Sequence, residues 1–282
     1  MLREITIREL AAKKVRGEKI VMITAYDCLT ARQADAAGVD CILVGDSLAN
    51  TALGHDDTLP VTMAEMLHHT AAVSRGTRHA LVIADMPFLS YQGSQDEAVT
   101  NAGRFLKEAG ANAVKLEGGA AWAALSTRLV ASGIPVVGHI GLTPQAVNQQ
   151  SGYRVQGKVP ADILQLRLDA HALEEAGCCL LVLECVPAEV AVRLSQELTV
   201  PTISIGAGAG CDGQVLVVAD LLGLHDRHTP KFVKRYADLG AAATAAIRQY
   251  ADEVRAGAYP GPDHQFSLPA EVRAQLDDVW KS

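Results

Sequence analysis

The segments EAGANAVKLE (Glu108 to Glu117) and EAGCCLLVLE (Glu175 to Glu184) repeat one pattern. In each, a helical stretch meets a glycine, a short turn follows, and an aliphatic run ends in glutamate. Glycine commonly ends helices, because it adopts the left-handed conformation without a side-chain clash. A near-continuous aliphatic run is typical of a strand covered on both faces of a parallel sheet. The repeat therefore predicts alternating helices and parallel strands.

Eight aliphatic runs of this kind occur along the chain. The predicted strands are Val21 to Asp27, Cys41 to Ser47, Leu81 to Phe88, Ala113 to Gly119, Pro135 to Gly141, Leu180 to Val186, Thr202 to Gly208 and Val215 to Asp220. Helices are predicted between them at Thr62 to Arg75, Ser94 to Ala109, Asp162 to Ala176 and Ala188 to Leu198. Eight such strands favour an α/β fold of the (β/α)₈ TIM barrel type, which usually has about 250 residues. The alternative is a doubly wound open sheet, whose first strand is often followed by G-x-G-x-x-G. Val21 to Asp27 is not followed by that motif.

Two segments flank the predicted barrel. Thr6 to Arg16 opens with a capping box, Thr6 and Glu9, and is expected to form an N-terminal helix before the barrel. The chain ends in a charged stretch. We expect a single (β/α)₈ catalytic domain over residues 1–266 and a charged C-terminal tail over 267–282.

Composition limits the classes of partner. The chain has 25 Lys and Arg against 32 Asp and Glu, a net charge of −7, and 4% aromatic residues. A general basic surface and an aromatic stacking platform for nucleic acid are therefore not expected. The first residues lack the apolar region of a signal peptide, and no run reaches the about 20 apolar residues of a membrane span. We expect a cytoplasmic protein that binds neither nucleic acid nor membrane.

Polar residues interrupt five of the predicted strands at their C-terminal ends. They are Asp46, Asp85, Glu117, His139 and Glu184. In a parallel barrel these ends face one side, where active sites are built. Clustered carboxylates repel one another unless a cation or proton compensates them. The trio Asp46, Asp85 and Glu117 therefore predicts a site for a hard divalent cation such as Mg²⁺.

Two further charged residues have open roles. Lys115 lies two residues before Glu117, so both side chains point into the barrel. It could pair with a barrel carboxylate, bind an anionic substrate, or form a Schiff base. Glu184 is expected across the mouth from the acidic trio. It could act as a general base on a metal-bound substrate or pair with a neighbouring cation.

Two loops are candidates for ligand contacts. GAGAG (Gly206 to Gly210) could bind phosphate through backbone N–H groups, or its glycines could allow close backbone approach. SGYRVQGK (Ser151 to Lys158) is long enough to act as a lid, and its Arg154 and Lys158 could attract an anionic ligand.

Several long motifs occur in order and point to one family. They are GDSLAN, HDDTLPVTMAE, DMPFLSY, VKLEGG, GHIGLTPQ, GYRVQGK, LECVP and GAGAGCDGQVLV. From Ile5 to Phe266 the chain resembles the ketopantoate hydroxymethyltransferases. The resemblance implies a (β/α)₈ barrel that requires Mg²⁺ or a similar divalent cation. It also implies transfer of a one-carbon unit from 5,10-methylenetetrahydrofolate to 3-methyl-2-oxobutanoate, giving 2-dehydropantoate for pantothenate biosynthesis. Members of this family typically form a homodecamer.

The resemblance also implies roles for individual residues. Asp46 and Asp85 look like metal-binding aspartates that also contact the substrate, and Glu117 looks like the third acidic residue of the metal site. Ser47 and Lys115 look like contacts to the 2-oxo acid. By the same resemblance, Glu184 in LECVP looks like the proton acceptor, and His139 in GHIG looks like a polar group on the substrate side.

The implied chemistry is proton removal from the 2-oxo acid by Glu184, with a metal-stabilised enolate attacking the one-carbon unit. One alternative is a Mg²⁺-dependent carbon–carbon lyase or mutase of the phosphoenolpyruvate type, acting on another 2-oxo acid. A second alternative is a non-catalytic barrel that serves as an assembly subunit.

Overall fold

The computed structural model describes residues 4–226 and 229–281. Eight parallel strands pair in chain order, and the last pairs with the first to close a barrel. The strands are β1 Ile20–Thr24, β2 Cys41–Val44, β3 Leu81–Asp85, β4 Ala113–Glu117, β5 Val136–Gly141, β6 Leu180–Glu184, β7 Thr202–Ile205 and β8 Gly213–Leu216. The prediction of a (β/α)₈ TIM barrel is confirmed.

Helices lie between the strands and beyond them. They are α1 Ile7–Arg16, α2 Cys28–Ala36, α3 Leu48–Thr51, α4 Met63–Gly76, α5 Gln95–Lys107, α6 Ala123–Ala131, α7 Pro160–Glu175, α8 Ala188–Glu197, α9 Val218–Leu222, α10 Leu239–Arg255, α11 Ala270–Arg273 and α12 Leu276–Lys281. The four helices predicted between strands correspond to α4, α5, α7 and α8. The capping box of Thr62 and Glu65 forms at the start of α4. Helix α7 begins two residues earlier than predicted, with Pro160 in its first turn, where a missing N–H costs nothing.

The last predicted strand is partly wrong. Strand β8 begins at Gly213, and residues 218–220 belong to α9 rather than to a strand. A Cβ atom on Gly213 would lie 2.4 Å from the carbonyl oxygen of Ile20 and 2.5 Å from Ile203 Cδ1, so only glycine fits between the neighbouring strands. The N–H of Val218 donates to Thr24 Oγ1 at 3.0 Å, which turns the chain into α9 at the barrel rim.

The chain divides into two compact units. The described residues of Met1–Leu221 and His228–Lys234 form the first, and those of Leu222–Arg227 and Arg235–Ser282 form the second. The second unit contains α10, an alanine-rich helix that the aliphatic pattern did not reveal, and in which no residue is buried. A single catalytic domain over residues 1–266 with a tail over 267–282 stays a prediction.

The predicted N-terminal helix is present and covers the bottom of the barrel. The Thr6 side chain accepts a hydrogen bond from the N–H of Glu9 at the start of α1. Leu10 is 1% exposed and packs in the core with inward-facing strand residues. Lys13 pairs with Asp40, which directly precedes β2, with Nζ 2.5 Å from Oδ1. Since the N-terminal ends of parallel strands meet at one side, α1 closes that end.

Replacement of Leu10 by alanine should reveal how much this closure stabilises the fold. We expect Leu10→Ala to lower the free energy of unfolding by about 2–5 kcal/mol, because it removes buried apolar area and leaves a cavity. Denaturant unfolding measures the effect. Val15→Ala is the control on the same helix, since Val15 is 88% exposed and its truncation should change stability by less than about 0.5 kcal/mol. Equal effects of the two variants would contradict the bottom-closing role of α1.

A second contact of α1 centres on Asp212, the residue before β8. Its Oδ2 accepts hydrogen bonds from Lys14 Nζ at 2.8 Å, from the N–H of Thr202 at 2.8 Å and from Ser195 Oγ at 3.2 Å. Burial raises the pKa of Asp212, but the bonds from Lys14 and Thr202 outweigh it, and the net pKa is lowered. The ionised form of Asp212 is therefore the one that ties α1, α8 and β7 together.

The lowered pKa of Asp212 has a consequence for acid stability. A carboxyl group with a lowered folded pKa stabilises the fold above its unfolded pKa of about 3.9 and loses this contribution as the pH falls through the folded pKa. We expect Asp212→Asn to be less stable than the wild type at pH 7 and to approach it below about pH 4. Urea unfolding across this range measures the difference. The exposed Asp56 offers a control, because Asp56→Asn should follow the wild-type curve throughout. A stability gap for Asp212→Asn that is independent of pH would contradict the assignment.

Candidate active site

The barrel brings the predicted polar residues to one end. Asp85 and Glu184 are the last residues of β3 and β6, and Glu117 is the last residue of β4. Asp46 follows β2 by two residues, and His139 lies within β5, paired in register with Glu117. Because all strands run in the same direction, these side chains lie at the C-terminal mouth.

Lys115 is the centre of this group. Its Nζ lies 3.0 Å from Asp85 Oδ1, 3.5 Å from Glu117 Oε1 and 3.0 Å from His139 Nδ1. Burial lowers the pKa of Lys115, but the charges of Asp85, Glu117 and Asp46 outweigh it and raise the pKa above its ordinary value. Lys115 is therefore a buried ammonium group, and the ion pair with barrel carboxylates, one of its possible roles, is formed.

The three acidic residues differ in how well their charges are compensated. Burial, followed by repulsion from Glu117 and Asp85, raises the pKa of Asp46 well above its ordinary value. Burial also raises the pKa of Asp85, despite the neighbouring Lys115. Burial acts in the same direction on Glu117, but Lys115 and the hydrogen bond with His139 prevail and lower its pKa to about 2. In the absence of a further cation, burial therefore disfavours the ionised forms of the two aspartates.

One hydrogen bond joins the two aspartates directly. The N–H of Asp46 donates to Asp85 Oδ2 at 3.0 Å. Both residues are almost completely buried, with exposures of 4% and 2%. Within residues 4–226 and 229–281, no three His, Cys, Asp or Glu side chains are already grouped as metal ligands.

Glu184 contacts the acidic group through His139. His139 Nε2 lies 3.2 Å from Glu184 Oε2, and His139 Nδ1 lies 3.4 Å from Glu117 Oε1. Burial and the Lys115 charge lower the pKa of His139, but the Glu117 and Glu184 carboxylates beside its ring outweigh them and raise the pKa to about 9. The side chain of Glu184 is 16% exposed, against 3% for Glu117. Glu184 is therefore the acidic residue of this group that faces the open mouth, and it has a neighbouring histidine as its partner.

Ser47 lies beside the acidic group at the start of α3. Its Oγ is 2.8 Å from the hydroxyl oxygen of Tyr26, which accepts a hydrogen bond from Thr24 Oγ1 at 3.0 Å. A Cβ atom on Gly45 would lie 2.8 Å from Ser47 Oγ and 3.5 Å from Asp85 Oδ2. Glycine at position 45 thus allows the serine and the aspartate to approach one another.

The profile of the ketopantoate hydroxymethyltransferases matches residues 4–262. A 3-methyl-2-oxobutanoate hydroxymethyltransferase of Syntrophus aciditrophicus (strain SB) is 57% identical over 264 residues, which cover 94% of this chain and 97% of that protein. This chain belongs to the ketopantoate hydroxymethyltransferase family. The enzyme of the same name from Moorella thermoacetica (strain ATCC 39073 / JCM 9320) is 57% identical over 262 residues, 93% of this chain and 97% of that protein. The predicted family and the prediction of an enzyme are confirmed.

Solved structures of other proteins have a fold similar to that of this chain. The crystal structure of phosphonopyruvate hydrolase with oxalate and Mg²⁺ matches with a TM-score of 0.60 at 15% identity, over 98% of this chain and 97% of that one. The structure of 2,3-dimethylmalate lyase, a member of the PEP mutase/isocitrate lyase superfamily, matches with a TM-score of 0.57 at 18% identity, over 98% and 96%. At such identities the similarity concerns the fold.

Among the described residues, no helix is both long and apolar enough to cross a membrane.

Gln145 and Tyr91 also belong to the site, although the strand-end pattern did not single them out. Gln145 Nε2 donates to Asp46 Oδ2 at 2.9 Å, and the hydroxyl group of Tyr91 donates to Gln145 Oε1 at 2.8 Å. Both residues follow the strands by several positions, in loops. They lie within two of the motifs that carry the family resemblance, DMPFLSY and GHIGLTPQ. Membership of these motifs is the sequence feature that could have identified them as site residues.

The two candidate loops have different environments. In GAGAG, a Cβ atom on Gly206 would lie 2.8 Å from Phe232 Cδ1, and one on Gly208 would lie 2.6 Å from Ala188 Cβ. Close backbone approach therefore accounts for these glycines. In the loop from Ser151 to Lys158, the N–H of Gln156 donates to the carbonyl oxygen of Cys185 at 2.9 Å, next to Glu184. Tyr153 is 56% exposed. A lid role stays a prediction.

Removal of the central ammonium group should destabilise the fold. Lys115→Met leaves Asp85 and Glu117 buried without their cationic partner, so we expect the free energy of unfolding to fall by about 3–5 kcal/mol. Urea unfolding in the presence of EDTA measures it. Lys107→Met is the control. Because Lys107 is exposed on α5, this variant should have nearly the wild-type free energy of unfolding. Wild-type stability of Lys115→Met would show that the ion pair is dispensable for folding.

Proposed function

We propose that this protein transfers a hydroxymethyl group from 5,10-methylenetetrahydrofolate to 3-methyl-2-oxobutanoate, giving 2-dehydropantoate for pantothenate biosynthesis. The observation that carries the proposal is 57% identity, over nearly the whole chain, to an enzyme named for this reaction. The buried arrangement of carboxylates, lysine and histidine at the barrel mouth supports it, because a 2-oxo acid needs both anion binding and proton removal.

The acidic residues supply the carboxylate oxygens that a hard divalent cation, Mg²⁺ or a similar ion, takes as ligands. Asp46, Asp85 and Glu117 would hold it, since carboxylate oxygens are the preferred ligands of such ions. The raised pKa of Asp46 supports this assignment, because burial and the neighbouring carboxylates disfavour its ionised form unless a further cation is present. When bound, such a cation supplies Lewis-acid polarisation of the keto group and so acidifies the neighbouring C–H. The phosphonopyruvate hydrolase structure, which contains Mg²⁺ and oxalate on the same fold, supports the choice of ion.

The 2-oxo acid would lie against cationic and hydroxyl groups at the mouth. Lys115 contributes a buried positive charge, which is strongest where water is excluded. Ser47 and His139 would contribute hydrogen bonds to the substrate, while Asp46 and Asp85 would hold the cation. Negative charge that develops on the keto oxygen during proton removal would be stabilised by the same ammonium group.

Glu184 would remove the C3 proton of 3-methyl-2-oxobutanoate. Its carboxylate is partly exposed to the mouth, while His139 at 3.2 Å restricts its orientation. A carboxylate placed in this way can hold the proton while C3 reacts with the one-carbon unit. The enolate form of the substrate is then the nucleophile: its C3 forms a bond to the one-carbon unit, water supplies the hydroxyl oxygen, and both C–N bonds break to release tetrahydrofolate.

The alternative activity is that of a Mg²⁺-dependent carbon–carbon lyase or mutase of the phosphoenolpyruvate type. Its support is the shared fold with 2,3-dimethylmalate lyase at 18% identity. Turnover that depends on methylenetetrahydrofolate separates the two, because the lyase would cleave a longer 2-oxo acid without folate.

We propose further that the protein works in the cytoplasm as a homo-oligomer, the expected form being a decamer, without nucleic acid or membrane partners. Apolar side chains on α7 support self-association. Ile163, Leu164 and Leu168 are 37%, 55% and 53% exposed, although burial of such groups is favourable. The net charge of −7 supports the absence of a nucleic acid partner.

The role of Glu184 is tested by hydrogen exchange at C3. Glu184→Gln should bind the cation and the 2-oxo acid but lose deuterium exchange at C3 of 3-methyl-2-oxobutanoate by about 10²–10⁴-fold, because the amide cannot accept the proton. Proton NMR in D₂O measures the rate without folate. Glu189→Gln is the control, since Glu189 is exposed at the start of α8. Exchange at the wild-type rate in Glu184→Gln would remove Glu184 from the role of base.

A further inference from the structure

We propose that Gln145 is a positioning residue that orients the Asp46 and Glu117 carboxylates for the divalent cation, and that a hydrogen bond from Tyr91 determines the orientation of its amide. The inference rests on the proposed function, because it concerns the ion-binding groups assigned there. It adds residues that lie outside the strand ends and touch the carboxylates rather than the substrate.

Gln145 contacts three neighbouring strand ends at once. It lies in a short 3₁₀ turn after β5, Pro144–Ala146, and is 7% exposed. Its Nε2 donates to Asp46 Oδ2 at 2.9 Å and to the carbonyl oxygen of Met86 at 3.0 Å. Its backbone N–H donates to Glu117 Oε2 at 3.0 Å. One residue therefore connects the ends of β2, β3 and β4, where the acidic groups lie.

The orientation of the Gln145 amide is determined by its donors. Oε1 accepts hydrogen bonds from the hydroxyl group of Tyr91 at 2.8 Å and from Gln92 Nε2 at 3.3 Å. With two donors at Oε1 and two acceptors at Nε2, both ends of the amide use their full hydrogen-bonding capacity. A rotation by 180° would place Nε2 against two donors and Oε1 against the Asp46 carboxylate. The amide therefore presents only N–H groups to Asp46.

Tyr91 is itself held in place. Its hydroxyl group has one proton, which the 2.8 Å distance assigns to Gln145, and its oxygen accepts from the N–H of Glu117 at 3.2 Å. The ring makes an edge contact with Trp122, with centroids 5.1 Å apart. A Cβ atom on Gly118, which has φ of +117°, would lie 2.5 Å from Trp122 Cδ1, so this packing requires glycine directly after Glu117.

These contacts should affect the affinity for the ion, because they determine the orientation of the carboxylates that would bind it. A hydrogen bond to Oδ2 sets the plane of the Asp46 carboxylate, and the N–H of Gln145 does the same for Glu117 at Oε2. Groups that orient metal ligands typically contribute about 10–100-fold to metal affinity. A residue that merely fills space would contribute to folding stability and leave ion affinity unchanged.

The test is a calorimetric titration with Mn²⁺ alone, on the full chain, with thermal unfolding in EDTA as the measure of folding. We expect Gln145→Met to weaken Mn²⁺ binding by about 10–100-fold, and Tyr91→Phe to weaken it by a smaller factor, because it removes one of the two donors that orient the amide. The double variant should weaken Mn²⁺ binding by less than the product of the two single effects, since Tyr91 acts mainly through Gln145.

Gln150→Ala is the matched control from the same loop. Gln150 Nε2 bonds to Thr143 Oγ1 at 3.0 Å and to the carbonyl oxygen of Gly141 at 3.3 Å, so its loss disturbs the loop without removing a contact to the acidic residues. It should bind Mn²⁺ like the wild type. Wild-type Mn²⁺ affinity in a folded Gln145→Met variant would overturn this inference and leave the cation assignment in place. If that variant does not fold, wild-type Mn²⁺ affinity in Tyr91→Phe would have the same consequence. A wild-type protein that binds no Mn²⁺ would overturn the cation assignment and this inference together.

Discussion

The mouth of the barrel depends on one buried ammonium group. Lys115 lies among carboxylates whose repulsion is strong where water is excluded, with its Nζ 3.0 Å from Asp85 and 3.5 Å from Glu117. The compensation is incomplete, because the pKa of Asp46 stays raised. A further cation would stabilise the ionised carboxylates in this buried site, and this property connects the architecture to the proposed chemistry.

Dense packing around the acidic group turns a set of strand ends into a defined geometry. Glycines at positions 45 and 118 allow side chains to approach more closely than any Cβ atom would permit. Behind the carboxylates, Gln145 and Tyr91 form hydrogen bonds whose directions are determined at both ends. The mouth therefore combines a rigid acidic side with Glu184, which is more exposed and faces the space where substrate would enter.

Most of the barrel could be predicted because local patterns report burial. Aliphatic runs located all eight strands, and capping residues such as Thr62 and Ser94 located helix starts. The failures have physical reasons. The end of β8 depends on a close approach at Gly213 and a bond from Val218 to Thr24, which join distant segments. Helix α10 went unpredicted because the aliphatic runs report buried strands and the elements between them, and no residue of α10 is buried.

The sequence by itself determined the alternation of helices and strands, and with it the side of the barrel on which the acidic residues lie. This side is determined because the C-terminal ends of parallel strands all lie at the same end of a barrel. Only the tertiary structure decided which of these groups touch. The hydrogen bond between Gln145 and Asp46 joins residues 99 positions apart, and the contact between His139 and Glu184 crosses from one strand to the next. Such contacts depend on barrel closure and strand register, and these arise from packing of the whole chain rather than from any local pattern.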